Sequence, residues 1–145
     1  MNKDAIVISM TTWPPRQYSA VEAMQYLTMQ GHDEEVHFVL TLAEDEWNKD
    51  GRNSHLPSPS TLLNAMKELG VEVLWAAGNT MSHKKLMPTL QKYPTNAIIV
   101  VDDDVRQRDG WLQAFIDDHR NHPTDIIYGS SSSVVEIIDG KIIEG

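Results

Sequence analysis

Apolar residues fall into short runs along this chain, and the stretches between them carry apolar positions at helical spacing. "AIVIS" (5–9) reads as a buried strand, ended by "TTWPPR" with its two prolines. From Gln17 to Gln30 the positions Ala20, Val21, Met24, Leu27 and Thr28 share one helical face, and Gly31 is the expected stop. "VHFVLTL" (36–42) is a second strand. The polar stretch "AEDEWNKDGRNSHLPSPS" follows as a long loop, and Ser58 or Ser60 is the expected cap of a helix carrying Leu62, Leu63, Met66 and Leu69. Gly70 closes that helix.

"VEVLW" (71–75) predicts a third strand, and "AAGNTMSH" a loop. "KKLMPTLQKY" predicts a short helix, with Pro88 tolerable near its first turn. "AIIVV" (97–101) is a fourth strand. Asp109 is the expected start of a helix with Trp111, Leu112, Phe115 and Ile116 on one face. "DIIYG" reads as a fifth strand, and "VVEIIDGKIIEG" as a hairpin around the turn pair Asp139-Gly140.

Strands alternating with helices predict an α/β fold with a mainly parallel central sheet flanked by helices and a C-terminal hairpin. Uninterrupted apolar strands such as "AIIVV" imply that both sheet faces are covered. Ligands of such sheets bind beyond the carboxyl ends of the strands. The residues that follow the first four strands are therefore the informative ones: Thr11 and Thr12, Ala43 and Glu44, Ala77 to Asn79, and Asp102 to Asp104.

Composition narrows the class. The chain has 145 residues, 41% of them hydrophobic, enough for one domain with a core. Cysteine is absent, which excludes disulfides and thiolate metal sites. A net charge of −9 argues against nonspecific nucleic-acid binding. No stretch approaches the roughly 20 apolar residues of a membrane helix, and the N-terminus lacks a signal core. The expectation is a soluble cytoplasmic domain, at most peripheral to the inner membrane.

"IIVVDDDVRQ" (98–107) then poses an electrostatic problem, because three consecutive carboxylates end a buried strand. Two like charges about 4 Å apart repel by about 1 kcal/mol in water and by about 4 at an effective dielectric of 20. Either the side chains splay into solvent as a surface turn, or a cation offsets them. Hard oxygen ligands suit Mg²⁺ or Mn²⁺, and Mg²⁺ is usually held by one or two carboxylates plus ligand phosphates. In extended backbone Asp102 and Asp104 would face one way and Asp103 the other. Asp102 and Asp104 are thus the candidate metal ligands.

"KKLMPTLQKYPTNAIIVVDDDV" resembles the segment leading into the Asp-x-Asp motif of bacterial A-type-fold glycosyltransferases of surface polysaccharide assembly. "ISMTTWPPR" resembles their first strand and nucleotide loop, and the similarity runs from Ile6 to about Gly129. The resemblance implies a nucleotide-diphosphate sugar donor, a saccharide or lipid-linked acceptor, and Mn²⁺ or Mg²⁺. It implies Asp104 as metal ligand, Asp102 as a ribose or metal contact, and Asp103 beside them. Thr11, Thr12 and Arg16 would lie along the nucleotide, and Lys84 or Lys85 would approach base or phosphate. It further implies that the chain is the nucleotide-binding half, a single domain over 1–145, with the acceptor half and the catalytic base beyond Gly145.

Bland readings stand beside these. Lys84 and Lys85 could be a solvated pair, Arg16 a surface arginine, and Trp13 packing beside Pro14 rather than a stacking platform. Glu44 or Asp45 could accept from a base N–H or simply be solvated. A nucleotidyltransferase also sets carboxylates and a metal at a sheet edge, but "TTWPPRQ" is not a glycine-rich phosphate loop. A receiver-like binding module needs acidic residues after the first strand, where this chain has "MTT". A transferase half that only binds nucleotide or a partner is the remaining alternative.

Overall fold

The computed structural model describes residues 5–77, 87–121, 132–138 and 141–143. Strand β1 (Ile6–Thr11) leads through a 3₁₀ turn (Pro14–Arg16) into α1 (Gln17–Thr28), followed by β2 (Val36–Ala43) and α2 (Ser60–Leu69). Then come β3 (Glu72–Ala76), α3 (Met87–Lys92), β4 (Ala97–Val101), α4 (Trp111–Asn121), β5 (Ser132–Ile138) and β6 (Lys141–Ile143). The sheet order is β3-β2-β1-β4-β5-β6. β3, β2, β1 and β4 are mutually parallel, while β5 pairs antiparallel with β4 and β6 with β5. This is the predicted α/β class.

β1 is buried along most of its length because helices cover both of its faces. Ile6, Ile8 and Met10 pack in the main core with Met24 and Leu27 of α1, Leu62 and Met66 of α2, and Phe115 and Ile116 of α4. Val7, Val39 and Ile98 alternate to the opposite face and meet Leu90 and Tyr93 from the α3 segment. The layering follows from connection handedness. α1 and α2 link strands that progress one way across the sheet. The α3 crossover runs back to the other side of β1, and a right-handed connection then lies on the opposite face. Strand order therefore reverses between β1 and β4, and that is where such sheets open a crevice.

Several local expectations need correction. α2 has Pro59 at its cap position, with no capping side chain. Ser58 Oγ instead accepts the Ser60 N–H at 3.2 Å, one residue outside the expected geometry. Gly70 closes the helix in the left-handed conformation, as predicted. α1 ends at Thr28, ahead of Gly31, where the Thr28 hydroxyl turns back onto the Met24 carbonyl at 2.9 Å. α4 begins at Trp111 rather than Asp109, because Gly110 at φ 83° breaks helical geometry between them. "DIIYG" lies outside the described residues. The pairing of Ile138 with Lys141 agrees with a two-residue hairpin connection.

The long loop after β2 is held by Trp47, which is fully buried in the main core. At the amino ends of β2 and β3, Glu72 accepts from Lys92 and Tyr93, both at 2.5 Å, with His37 at 3.3 Å. Burial pushes the Glu72 carboxyl up, but the hydrogen bonds from Lys92, Tyr93 and His37 outweigh it, so its pKa is lowered. Burial and the Glu72 carboxylate together push the Tyr93 hydroxyl up to about 12. This cluster clamps the α3 side of the sheet at the end away from the aspartates.

Candidate functional site

β1 and β4 lie side by side with Ser9 opposite Val100. Continuing that register past the strand ends sets Thr12 level with Asp103, and the Thr12 hydroxyl donates to Asp103 Oδ2 at 2.8 Å. Both residues are buried, at 3% and 6% exposure. A carboxylate so placed needs partners, since an unpaired buried charge is costly. The second partner is Arg16. Pro14 and Pro15 set up the 3₁₀ turn, and the Arg16 N–H closes it on the Trp13 carbonyl at 3.0 Å. The guanidinium then lies 3.4 Å from Asp103 Oδ1 and 2.6 Å from Asp104 Oδ2.

The repulsion between Asp103 and Asp104 is therefore offset by the Arg16 guanidinium, with the Thr12 hydroxyl also on Asp103. Strand alternation fails here because β4 stops at Val101 and Asp103 and Asp104 lie in a turn. The two neighbours, expected on opposite sides, share Arg16. Asp102 is partly buried, and the Asp104 side chain is 51% exposed. The open carboxylate of the three is Asp104.

The segment carrying these aspartates is lashed along α1. Arg106 donates to Glu22 at 2.8 Å. Buried Gln30 donates to the Gln107 carbonyl at 3.1 Å and accepts the Leu112 N–H at 2.7 Å. The second of these contacts satisfies one of the amides that a helix start leaves without an intrahelical acceptor. Nothing in the local sequence singles out Glu22, Gln30, Arg106 or Gln107. Their partners are up to 84 residues away along the chain.

Among the other expected residues, Thr11 donates to the Thr41 carbonyl at 2.8 Å, stitching β1 to β2 rather than facing the aspartates. Trp13 is 48% exposed, so part of its ring faces solvent and part is covered. Glu44 pairs with Lys49 at 2.9 Å, and Lys49 lies 5.1 Å over the Trp75 ring. Lys84 and Lys85 lie outside the described residues. The structure thus gathers Thr12, Arg16, Asp103 and Asp104, and places Trp13 within the same turn.

A divalent cation, which the resemblance implies, finds suitable donor chemistry here. The oxygens are hard and Asp104 is accessible, while its Oδ2 is already paired with the Arg16 guanidinium at 2.6 Å. Among the described residues no group of three or more His, Cys, Asp or Glu side chains could hold a metal ion. A cation here would draw the rest of its shell from ligand phosphate and water, the usual arrangement for Mg²⁺. Also among the described residues, no helix is long and apolar enough to cross a membrane.

No family model and no curated protein matches the sequence. The fold is similar to a solved structure, the 4-diphosphocytidyl-2C-methyl-D-erythritol synthase from Anaerococcus prevotii, with a TM-score of 0.50 and 9% identity. The alignment covers 97% of this chain and 64% of that one, so this chain spans less than two thirds of its length. The likeness is one of fold. It places this chain among α/β proteins with a mainly parallel central sheet.

Proposed function

We propose that this chain carries the nucleotide-diphosphate-sugar site of a glycosyltransferase that passes its sugar to a saccharide or lipid-linked acceptor. The observation that carries the reading is the meeting of Thr12 and Arg16, from the end of β1, with Asp103 and Asp104, from the end of β4, at the point where strand order reverses. Buried Asp103 is the anchor of the turn, Asp104 with Asp102 would hold Mn²⁺ or Mg²⁺, and Arg16 has the fork geometry for phosphate oxygens. When bound, the cation supplies charge neutralisation of the departing diphosphate. Trp13 offers an exposed aromatic face beside this site.

Nucleotidyl transfer is the second reading, favoured by the likeness to a synthase whose name contains a diphosphocytidyl group. The loop after β1 weighs against it. Pro14 and Pro15 have no N–H to offer a triphosphate, and the stretch contains no glycine. The two reactions differ in product: a nucleoside diphosphate from glycosyl transfer, pyrophosphate from nucleotidyl transfer.

Calorimetry with UDP, GDP and CDP, each with and without Mn²⁺, tests the site. Wild type is expected to bind one of them in a metal-dependent way, and Asp104→Asn to weaken that binding at least tenfold, about 1.4 kcal/mol. Binding indifferent to EDTA, or equal affinity in Asp104→Asn, removes the aspartates from the mechanism.

A further inference from the structure

We infer that the groove between α1 and α2 binds one ring of a neutral saccharide, with Tyr18 as the stacking surface. The inference rests on the glycosyltransferase reading for its purpose, the holding of an acceptor sugar, while the binding chemistry comes from the groove's own residues.

Position, shape and lining chemistry carry it independently. α1 follows β1 directly, and α2 leads into β3 through Gly70 and Val71, so both helices begin at the carboxyl edge of the sheet. Their first turns lie on the same edge as Arg16 and Asp104. Between them is a cavity of about 280 Å³. Ligand pockets begin at roughly 300 Å³, so this one has room for a single ring rather than a nucleotide. Val21, Leu62 and Ala65 supply its apolar surface, which is fixed because Val21 and Leu62 pack in the main core. Tyr18 borders the same cavity and is 75% exposed. An aromatic ring left in water beside a fixed apolar surface is completed by a ligand with an apolar face of its own. Five of the eight lining residues carry a hydroxyl, amide or carboxylate, which argues against an acyl chain. The Tyr18 and Thr61 hydroxyls and the Gln25 side-chain amide take no partner among the described residues. Glu22 gives one carboxylate oxygen to Arg106 at 2.8 Å and keeps the other as an acceptor. Glu22 is the one charged residue of the lining, so a phosphate or other anion would meet repulsion and no cation. A pyranose matches every part of this lining. Its C–H face suits the negative π face of Tyr18, and its hydroxyls, each both donor and acceptor, suit the groups around the rim.

The test is ¹H–¹⁵N NMR of the full chain, without nucleotide or metal, titrated with the methyl glycosides of glucose, galactose, mannose and N-acetylglucosamine. At least one is expected to give saturable shifts confined to residues 17–25 and 61–65. Tyr18→Ala should weaken that binding about tenfold, and Tyr18→Phe, which keeps the ring, should stay within about threefold of wild type. Because Tyr18 is mostly exposed, neither change threatens the fold. Equal affinity in wild type and Tyr18→Ala, or shifts lying outside the two helices, overturns the inference. Octyl glucoside, added below its micellar concentration, is the lipid-like arm, and binding of it where no methyl glycoside binds overturns the inference in favour of an acyl groove. Shifts of the same residues on protein dilution alone, with no effect of sugar, identify a second copy as the occupant and also overturn it. The outcome is separable from that of the nucleotide site. Metal-dependent UDP binding with no glycoside binding overturns the groove and leaves the glycosyltransferase reading standing, whereas glycoside binding without UDP binding keeps the groove and removes that reading.

Discussion

Thr12→Val isolates one hydrogen bond to a buried carboxylate. Valine keeps the branched shape at Cβ, so backbone preference is unchanged. The lost bond is 2.8 Å long and ends on Asp103, which is 6% exposed. Hydrogen bonds to charged groups contribute about 1.5–3 kcal/mol. The methyl that replaces the hydroxyl returns roughly 0.8 kcal/mol if fully buried. Arg16, 3.4 Å from the other Asp103 oxygen, cannot replace the hydroxyl on Oδ2 without giving up Asp104. The net loss is therefore about 1–2 kcal/mol. For a chain of this length that corresponds to a fall in Tm of roughly 3–8 °C.

Thr11→Val is the matched control, because Thr11 donates to a neutral carbonyl, that of Thr41, from a partly buried position. A neutral bond contributes about 1 kcal/mol, nearly offset by the new methyl, so this change should fall within about 0.5 kcal/mol of wild type. Urea denaturation, with slopes compared to confirm a common transition, measures both. In an Asp103→Asn background Thr12→Val should cost about 1 kcal/mol less than it does alone. Equal losses at Thr11 and Thr12, or an additive cycle, would refute the claim that Thr12 stabilises a buried charge.

Gln30→Ala leaves the Leu112 N–H and the Gln107 carbonyl without their buried partner, a loss of about 1–3 kcal/mol. Hydrogen exchange should rise locally across 104–112, and uniform exchange over the whole chain would contradict a local tether. Glu72 gives a pH signature. Its folded pKa lies below its usual 4.5, so its contribution is present above that value and is lost as pH falls through the folded pKa. The stability gap between wild type and Glu72→Gln should therefore be larger at neutral pH than in acid; a gap that widens in acid contradicts the sign. Tyr93 has the opposite sense, its stabilisation disappearing as pH rises from the usual 10.0 through about 12, and ultraviolet titration should show a late-ionising component that Tyr93→Phe removes.

Residue order along the chain determined which segments become strands, since "AIVIS", "VHFVLTL", "VEVLW" and "AIIVV" are too short and too continuously apolar for surface helices. It also determined that polar residues, Thr11, Thr12 and Asp102 to Asp104, follow the carboxyl ends of β1 and β4. Strand alternation could not be extended into the aspartates, because the ladder ends at Val101 and a turn has no period of two. Nor could position alone tell Thr11 from Thr12. One donates across to β2 and the other to Asp103, a choice made by the β1–β4 register. Tertiary structure alone decided what neutralises the carboxylates. A guanidinium at position 16 meets a carboxylate at position 104 only after β4 has been laid beside β1, and Gln30 reaches Leu112 for the same reason. Local propensity acts over one turn or one strand, whereas these contacts span more than 80 residues and exist only when the sheet does.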